Sequence, residues 1–325
     1  MFSANTQKFL EMDELSLQKV PFFFIIDFSG NHVEIYQENE ITEKGLLIDF
    51  QTFSNINCAE DLDKVPFLKS YPETLEDFQK GFDYVQENIH LGNSYLTNYT
   101  RKTKIETNLS LEEIFYHSRA KYKVLYPDFF VFFSPETFVK IIDGKISTYP
   151  MKGTIDASIE NAAEVLKNDQ KEKAEHYTVV DLLRNDLSIV ADDVMVDKFQ
   201  YIDFLKTHQK NLFAMSSEIS GKIKPEFVGK VGSIMQQILP AGSILGAPKP
   251  KTRDIILQTE GFERGFYTGI CGWFDGENLD SCVMIRFIEK DNNTLYFKSG
   301  GGITHMSKLE DEYQEMKNKI YVPIH

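Results

Sequence analysis

A lysine set between a proline and a glycine, Thr148-Tyr149-Pro150-Met151-Lys152-Gly153-Thr154-Ile155, is the stretch whose residue types point most directly to chemistry. A lysine amine is a nucleophile only as the free base. Its ordinary pKa of about 10.4 must therefore be lowered by burial or by a nearby cation. Taken alone, such a lysine reads as a surface residue in a turn. Its setting adds to that: Asp143-Gly144, between Phe138–Ile142 and Lys145–Tyr149, marks a two-residue hairpin. Hairpin register places position 142 opposite 145 and position 136 opposite 151. The carboxyl group of Glu136 is thereby expected beside Met151 and Lys152. Pro150 cannot donate to the ladder and is where that pairing would fray.

Two helix-patterned stretches each carry glutamates three residues apart, Glu172 with Glu175 and Glu312 with Glu315. Such pairs share one helical face, and four converging carboxylates would suit a hard divalent ion such as Mg2+. The plain alternative is solvated helix surface, with Glu315 paired to Lys319 one turn on. The 7 histidines show no HxxxH spacing, which speaks against zinc. Gly300-Gly301-Gly302, between a strand and a polar loop, offers backbone amides to an anion, or is simply a tight turn. Arg286 lies in the apolar run Val283-Met284-Ile285-Arg286-Phe287. A buried arginine requires a carboxylate or phosphate partner, whether a core acid or a substrate.

The elements that must hold these groups follow from periodicity and caps. Strand-like runs occupy Phe22–Phe28, His32–Tyr36 and Gly45–Phe50. A helix is expected from Thr74 to His90, with Phe78, Phe82, Val85 and Ile89 on one face, and strand resumes over Ser94–Thr100. Ser110-Leu111-Glu112-Glu113 is a capping box opening another helix, and Phe129–Phe133 precedes the hairpin. Ser158–Leu187 reads as helix, Val194–Ile202 and Leu212–Ile223 as strands, and Phe227–Ile238 and Lys249–Thr259 as helices. The last third reads as strands at Gly265–Phe274, Ser281–Glu289 and Thr294–Lys298. A helix from Lys308 to Tyr321 closes the chain, capped by Ser307 with Glu310. Strands in runs, without regular βαβ alternation, imply an α+β fold with antiparallel sheets.

Composition bounds the function. At 325 residues and 42% hydrophobic, the chain can bury a large core in one extended domain or two lobes. A net charge of −14 argues against a general nucleic-acid or anionic-membrane binder, while leaving a small anionic substrate open. The N-terminus lacks a basic region followed by an apolar run, and Pro21–Phe28 is too short to span a bilayer. Cys58, Cys271 and Cys282 form neither a disulfide framework nor a CxxC pattern. A soluble cytoplasmic protein is expected.

From about Thr74 onward the chain resembles the chorismate-utilising enzymes: anthranilate synthase component I, aminodeoxychorismate synthase component I, and the isochorismate and salicylate synthases. The resemblance is carried by Ser134-Pro135-Glu136-Thr137-Phe138, Pro150-Met151-Lys152-Gly153-Thr154 and Ala174-Glu175-His176 with Asp181-Leu182-Leu183-Arg184-Asn185-Asp186-Leu187. It continues through Pro240-Ala241-Gly242-Ser243, Gly246-Ala247-Pro248-Lys249, Gly300-Gly301-Gly302-Ile303 and Glu312-Tyr313-Gln314-Glu315 with Asn318-Lys319. It implies a four-layer αββα fold over residues 71–325, preceded by a short strand-rich segment, 1–70, that packs on the main body.

The resemblance also implies roles. Lysine at position 152 is typical of aminodeoxychorismate synthase, where anthranilate and isochorismate synthases have alanine. Lys152 would attack C2 of chorismate, with Glu136 as the general acid for the departing C4 hydroxyl. Ammonia would then replace the lysine, giving 4-amino-4-deoxychorismate for 4-aminobenzoate and folate supply. Glu175 and Glu312 resemble the Mg2+ ligands, supported by Glu172 and Glu315. Tyr267 and Arg286, with amides of Gly300, Gly301 and Gly302, match the groups that hold the pyruvyl carboxylate, and Gly153, Thr154 and Lys319 line the same pocket. Three positions depart from the family pattern. Leu96 replaces the water-activating lysine of isochorismate and salicylate synthases, Ala214 a frequent histidine, and Leu245 a usual threonine. No Gly-x-Cys-x-Gly nucleophile elbow is present, so ammonia is expected from a separate glutamine amidotransferase subunit. With the sequence ending at His325 no fused lyase is expected, and no tryptophan-binding motif is evident in residues 1–70. Anthranilate synthase component I, or a chorismate-binding regulator without activity, are the alternatives.

Overall fold

The computed structural model describes residues 6–56, 62–205 and 211–323; Cys58 falls outside them. In chain order the first part runs α1 (Thr6–Leu17), β1 (Phe22–Ile26), β2 (Val33–Tyr36), α2 (Glu38–Lys44), β3 (Leu47–Phe50), β4 (Leu68–Tyr71), α3 (Leu75–His90), β5 (Leu96–Thr107) and α4 (Leu111–His117). The middle follows with β6 (Tyr122–Tyr126), β7 (Phe130–Ser134), β8 (Thr137–Ile142), β9 (Lys145–Thr148), β10 (Met151–Asp156), α5 (Ala162–Asn168), α6 (Gln170–Val190), β11 (Ala191–Leu205) and β12 (Leu212–Ile223). The last part is α7 (Val231–Ile238), β13 (Gly246–Ala247), α8 (Lys249–Thr259), β14 (Ile270–Phe274), β15 (Leu279–Val283), β16 (Phe287–Asp291), β17 (Thr294–Ile303) and α9 (Leu309–Asn318).

Two compact units divide the chain. The first takes Met1–Asn39, Glu136–Ser243 and Thr268–Val283, and the second Glu40–Pro135, Ile244–Tyr267 and Met284–His325. Each is built on one antiparallel sheet. The first sheet runs β10-β12-β9-β8-β15-β14-β1-β2, with β11 also on β12; the second runs β13-β5-β17-β16-β7-β6-β3, with β4 on β5. This is the expected α+β class. Residues 1–70 serve both units: β1 and β2 lie in the first sheet, β3 and β4 in the second.

Local sequence explains many elements. In β1 five apolar residues in a row are all buried, as befits a strand covered on both faces. Thr74 caps α3 by accepting from the Asp77 amide, and Phe78, Phe82, Val85 and Ile89 turn into the second unit's core. The Ser110/Glu113 capping box forms as expected.

Several expectations are corrected. The hairpin pairs Ile142 with Lys145 and Lys140 with Ser147, but no ladder joins 136 to 151. Beyond Thr148 the chain follows β12 instead: Thr148 lies opposite Ile219, Met151 opposite Ser216, and the Pro150 carbonyl accepts the Ser217 amide at 3.0 Å. Pro150 has no N–H to give β8, so the chain keeps only its β12 side. The stretch Ser158–Leu187 is two helices, because Asp169 leaves helical geometry to cap the Glu172 amide of α6. Ser281–Glu289 is two strands broken at Arg286, which has φ +54. Gly300–Gly302 is strand rather than loop, paired with Thr100, Tyr99 and Asn98. The Ser307/Glu310 box is absent: Lys308 starts α9 without a side-chain cap, and Ser307 Oγ accepts from the Thr304 amide. Helix α1 has no expected counterpart. Its buried Asp13 accepts from the Ser233 amide at 2.8 Å, capping α7 from outside.

Candidate active site

In the first unit, Lys152 sits on β10 opposite Met215 of β12. The next-but-one residue of β12, Ser217, reaches His176 of α6 at 2.7 Å. Alternate residues of a strand share a face, so Met215 and its partner Lys152 point toward α6 as well. The register then slips by one at Gly153, which has φ +69. This is a bulge for which glycine is suited. A Cβ there would also fall 2.8 Å from Glu172 Oε2 and 3.0 Å from Leu166 Cδ1. Lys152 is half-buried. The backbone of Thr154 pairs with Ala214, while its side chain lies outside what is described.

Helix α6 therefore presents Glu172, Glu175 and His176 to this strand. Glu175 is 7% exposed, with Lys171 3.7 Å away. His176 is fully buried, and burial, with a smaller contribution from the positive charge of Lys152, lowers its pKa to about 4. Its imidazole is neutral at physiological pH and adds no positive charge beside the lysine.

Glu136 immediately precedes β8, and its carbonyl accepts the Val283 amide at 3.1 Å. Its carboxylate accepts a hydrogen bond from Ser243 Oγ at 2.5 Å. The motif containing Ser243 is visible in the sequence, but nothing local links it to a residue 107 positions earlier. His176 is likewise a member of a motif whose role only its contacts reveal.

In the second unit β16 stops at Phe287, opposite Lys298, whereas β17 continues to Ile303 along β5 alone. Among the described residues no strand pairs with the other edge of Gly300, Gly301 and Gly302. The two faces limit a side chain differently, by fixed backbone at Gly300 and by movable carboxyl ends at Gly301. A Cβ on Gly300 would meet Tyr99 O at 2.1 Å, and one on Gly301 would meet Glu315 Oε1 at 2.9 Å and Glu312 Oε2 at 3.3 Å. Glu312 is 3% exposed. Glu315 pairs with Lys319 at 2.7 Å, and Lys319 Nζ also donates to the Gly300 carbonyl at 2.7 Å. The ordinary i,i+4 pair is thus present, and it is tied to the glycine strand.

Arg286 lies where β16 turns away, and its guanidinium rests 4.7 Å from the Tyr321 ring centre. Its Nη1 is buried, and among the described residues it has no hydrogen-bond partner. Tyr267 is 4% exposed, with its ring 6.0 Å from that of Phe287, and burial raises its phenol pKa well above the ordinary value. The turn that carries it is braced by Arg264, paired with Glu260 at 2.6 Å; Glu260 Oε1 also accepts the Thr100 amide at 2.8 Å. Sequence reasoning assigned neither Arg264 nor Glu260 a part.

The structure thus gathers Lys152, Gly153, Glu172 and Glu175 in the first unit, and Gly300, Gly301, Glu312, Glu315 and Lys319 in the second. Among the described residues no group of three or more His, Cys, Asp or Glu is arranged to hold a metal by itself. Carboxylates nevertheless suit a hard cation in chemistry, since Mg2+ needs only one or two, and the side chains of Glu175 and Glu312 are both buried.

Comparison with known proteins adds a consistent picture. Residues 17–325 match the family described as chorismate binding enzyme. An uncharacterized PabA-like protein of Pasteurella multocida is 46% identical over 97% of both chains. Anthranilate synthase component 1 of Saccharomyces cerevisiae is 34% identical over 58% of this chain and 38% of its own. The menaquinone-specific isochorismate synthase MenF of Escherichia coli superposes with a TM-score of 0.74 at 17% identity, covering 98% of this chain and 81% of that one. The chain belongs to the chorismate binding enzyme family, and has its fold.

Proposed function

We propose that this protein is an aminodeoxychorismate synthase component I, converting chorismate and ammonia to 4-amino-4-deoxychorismate and water. The observation that carries this reading is Lys152, which β10 turns toward the glutamate-bearing face of α6 rather than leaving in an exposed turn. In the proposed course the free amine of Lys152 bonds to C2 of chorismate. The two ring double bonds each shift one place, and the C4–O bond breaks. Glu136 supplies the proton with which that oxygen leaves as water; a placed general acid contributes roughly 10²–10⁴-fold to such a step. Ammonia then bonds to C4, the double bonds return, and the C2–N bond to Lys152 breaks.

Glu175 and Glu312, supported by Glu172 and Glu315, are the carboxylates proposed to hold Mg2+. When bound, the ion would neutralise and orient the ring carboxylate of the substrate. Arg286 and Tyr267 are proposed to grip the pyruvyl carboxylate, with Gly300–Gly302 supplying amides. Gly153, Thr154 and Lys319 would line the pocket. Leu96 is 1% exposed and has no group able to activate water, which supports amination over hydration at C2. A separate glutamine amidotransferase is the proposed ammonia source, in keeping with the lack of a Gly-x-Cys-x-Gly nucleophile elbow in this sequence.

The similarity to anthranilate synthase component 1 keeps a second reading in view. Incubation with chorismate, Mg2+ and an ammonium salt, with product identified by mass and chromatography, separates the two. 4-Amino-4-deoxychorismate is expected; anthranilate with pyruvate would reject the assignment.

A further inference from the structure

We propose that Ser243 is a positioning residue that fixes which oxygen of Glu136 carries the proton. The proposal rests on the reading of Glu136 as general acid. The outer torsion of a glutamate is broad and nearly two-fold, so an unrestrained carboxyl group presents either oxygen in many orientations. Ser243 Oγ donates to Oε1 at 2.5 Å. While Ser243 donates to Oε1, that oxygen serves as the carbonyl oxygen of the protonated acid and the proton is carried by Oε2. The Ser243 bond thus bears on both the rotamer and the acidic atom.

The backbone at both ends is held independently. Glu136 is anchored by its carbonyl to the Val283 amide, and the following residues are paired in β8. Ser243 lies in a 3-10 turn whose Gly242 packs so closely on α6 that a Cβ would fall 2.7 Å from Leu182 Cδ2. Neither residue needs to move for the bond to form. The Gly242-Ser243 pair therefore has two parts: the glycine permits the approach to α6, and the hydroxyl reaches the acid.

The test is a double-mutant cycle with Ser243→Ala, Glu136→Gln and their combination, measured with chorismate, Mg2+ and ammonium. Ser243→Ala is expected to lower kcat about tenfold, the effect of losing one hydrogen bond to a charged group, with KM little changed. In the Glu136→Gln background the same change is expected to cost nothing further, since Ser243 acts only through that carboxyl group. Ser243→Thr, which keeps the hydroxyl, should restore most of the rate. An equal loss in both backgrounds, or no loss in either, overturns the proposal. Should Ser243→Ala fail to fold by circular dichroism, Ser243→Cys takes its place in the cycle, and additive losses would again refute it. A wild-type enzyme that makes no aminodeoxychorismate, or a Glu136→Gln variant with full activity, would refute the underlying reading instead.

Discussion

Under the proposed route Lys152 has to give up a proton before it can bond to carbon, and its surroundings bear on that step in a measurable way. The nearby His176 is neutral because burial and the lysine's own charge disfavour its cation. Under the proposed route, Lys152→Ala should abolish any chorismate-derived adduct in intact-mass spectra. It should also lower turnover on the order of 10³-fold, about 4 kcal/mol of barrier. Unchanged chorismate consumption would show that the lysine is not the nucleophile. His176 also makes stability depend on pH. Its folded pKa of about 4 lies below the ordinary 6.5, so between these values the unfolded chain binds the extra proton. Stability from this group is complete above pH 6.5 and is lost as pH falls toward 4. The size is at most about 3 kcal/mol. Denaturant melts of His176→Gln should accordingly show a shallower acid decline than wild type over that window; parallel curves would contradict the burial argument.

At the scale of elements, the candidate residues of each unit depend on a strand that carries glycine. Gly153 combines a left-handed φ with contact to Glu172 and Leu166, so Gly153→Ala is expected to destabilise by about 1–3 kcal/mol and to shift Glu172. Gly300 is limited differently: its obstacle is the Tyr99 carbonyl, a backbone atom fixed in β5 that cannot swing aside. Gly300→Ala should therefore part β17 from β5, seen as faster amide exchange over 98–100 and 299–302 with a lowered melting temperature. Exchange unchanged at those amides would show that the strand pair absorbs the methyl group. Elements with local signals were legible beforehand: α8 and β12 have the bounds read from the sequence, and α4 has its capping box. Two breaks were not. Asp169 and Arg286 each end a pattern that hydrophobic spacing alone would continue, because the competing partner is a side-chain cap or a turned backbone; the fraying at Pro150 was expected, but not that β12 takes over there.

For the whole molecule, the proposed division of labour predicts that the isolated chain uses ammonium but not glutamine. Glutamine-dependent product should appear only when a glutamine amidotransferase is added; glutamine use by the chain alone would refute that division. No helix among the described residues is long and apolar enough to cross a membrane. The family was readable from the sequence, since its blocks combine glycine, proline, lysine and glutamate at spacings that hold whatever the distant pairings are. The helices with clear apolar faces were readable for a related reason, since period and caps are properties of a dozen neighbouring residues. Only the tertiary structure decided the rest. It assigned β1 and β2 to one sheet and β3 and β4 to the other, matched Asp13 with Ser233, and joined Glu136 to Ser243. The Asp13–Ser233 and Glu136–Ser243 contacts and the β1–β14 ladder link residues more than a hundred apart, and they exist only once the register of the sheet is set. A local pattern carries no record of them.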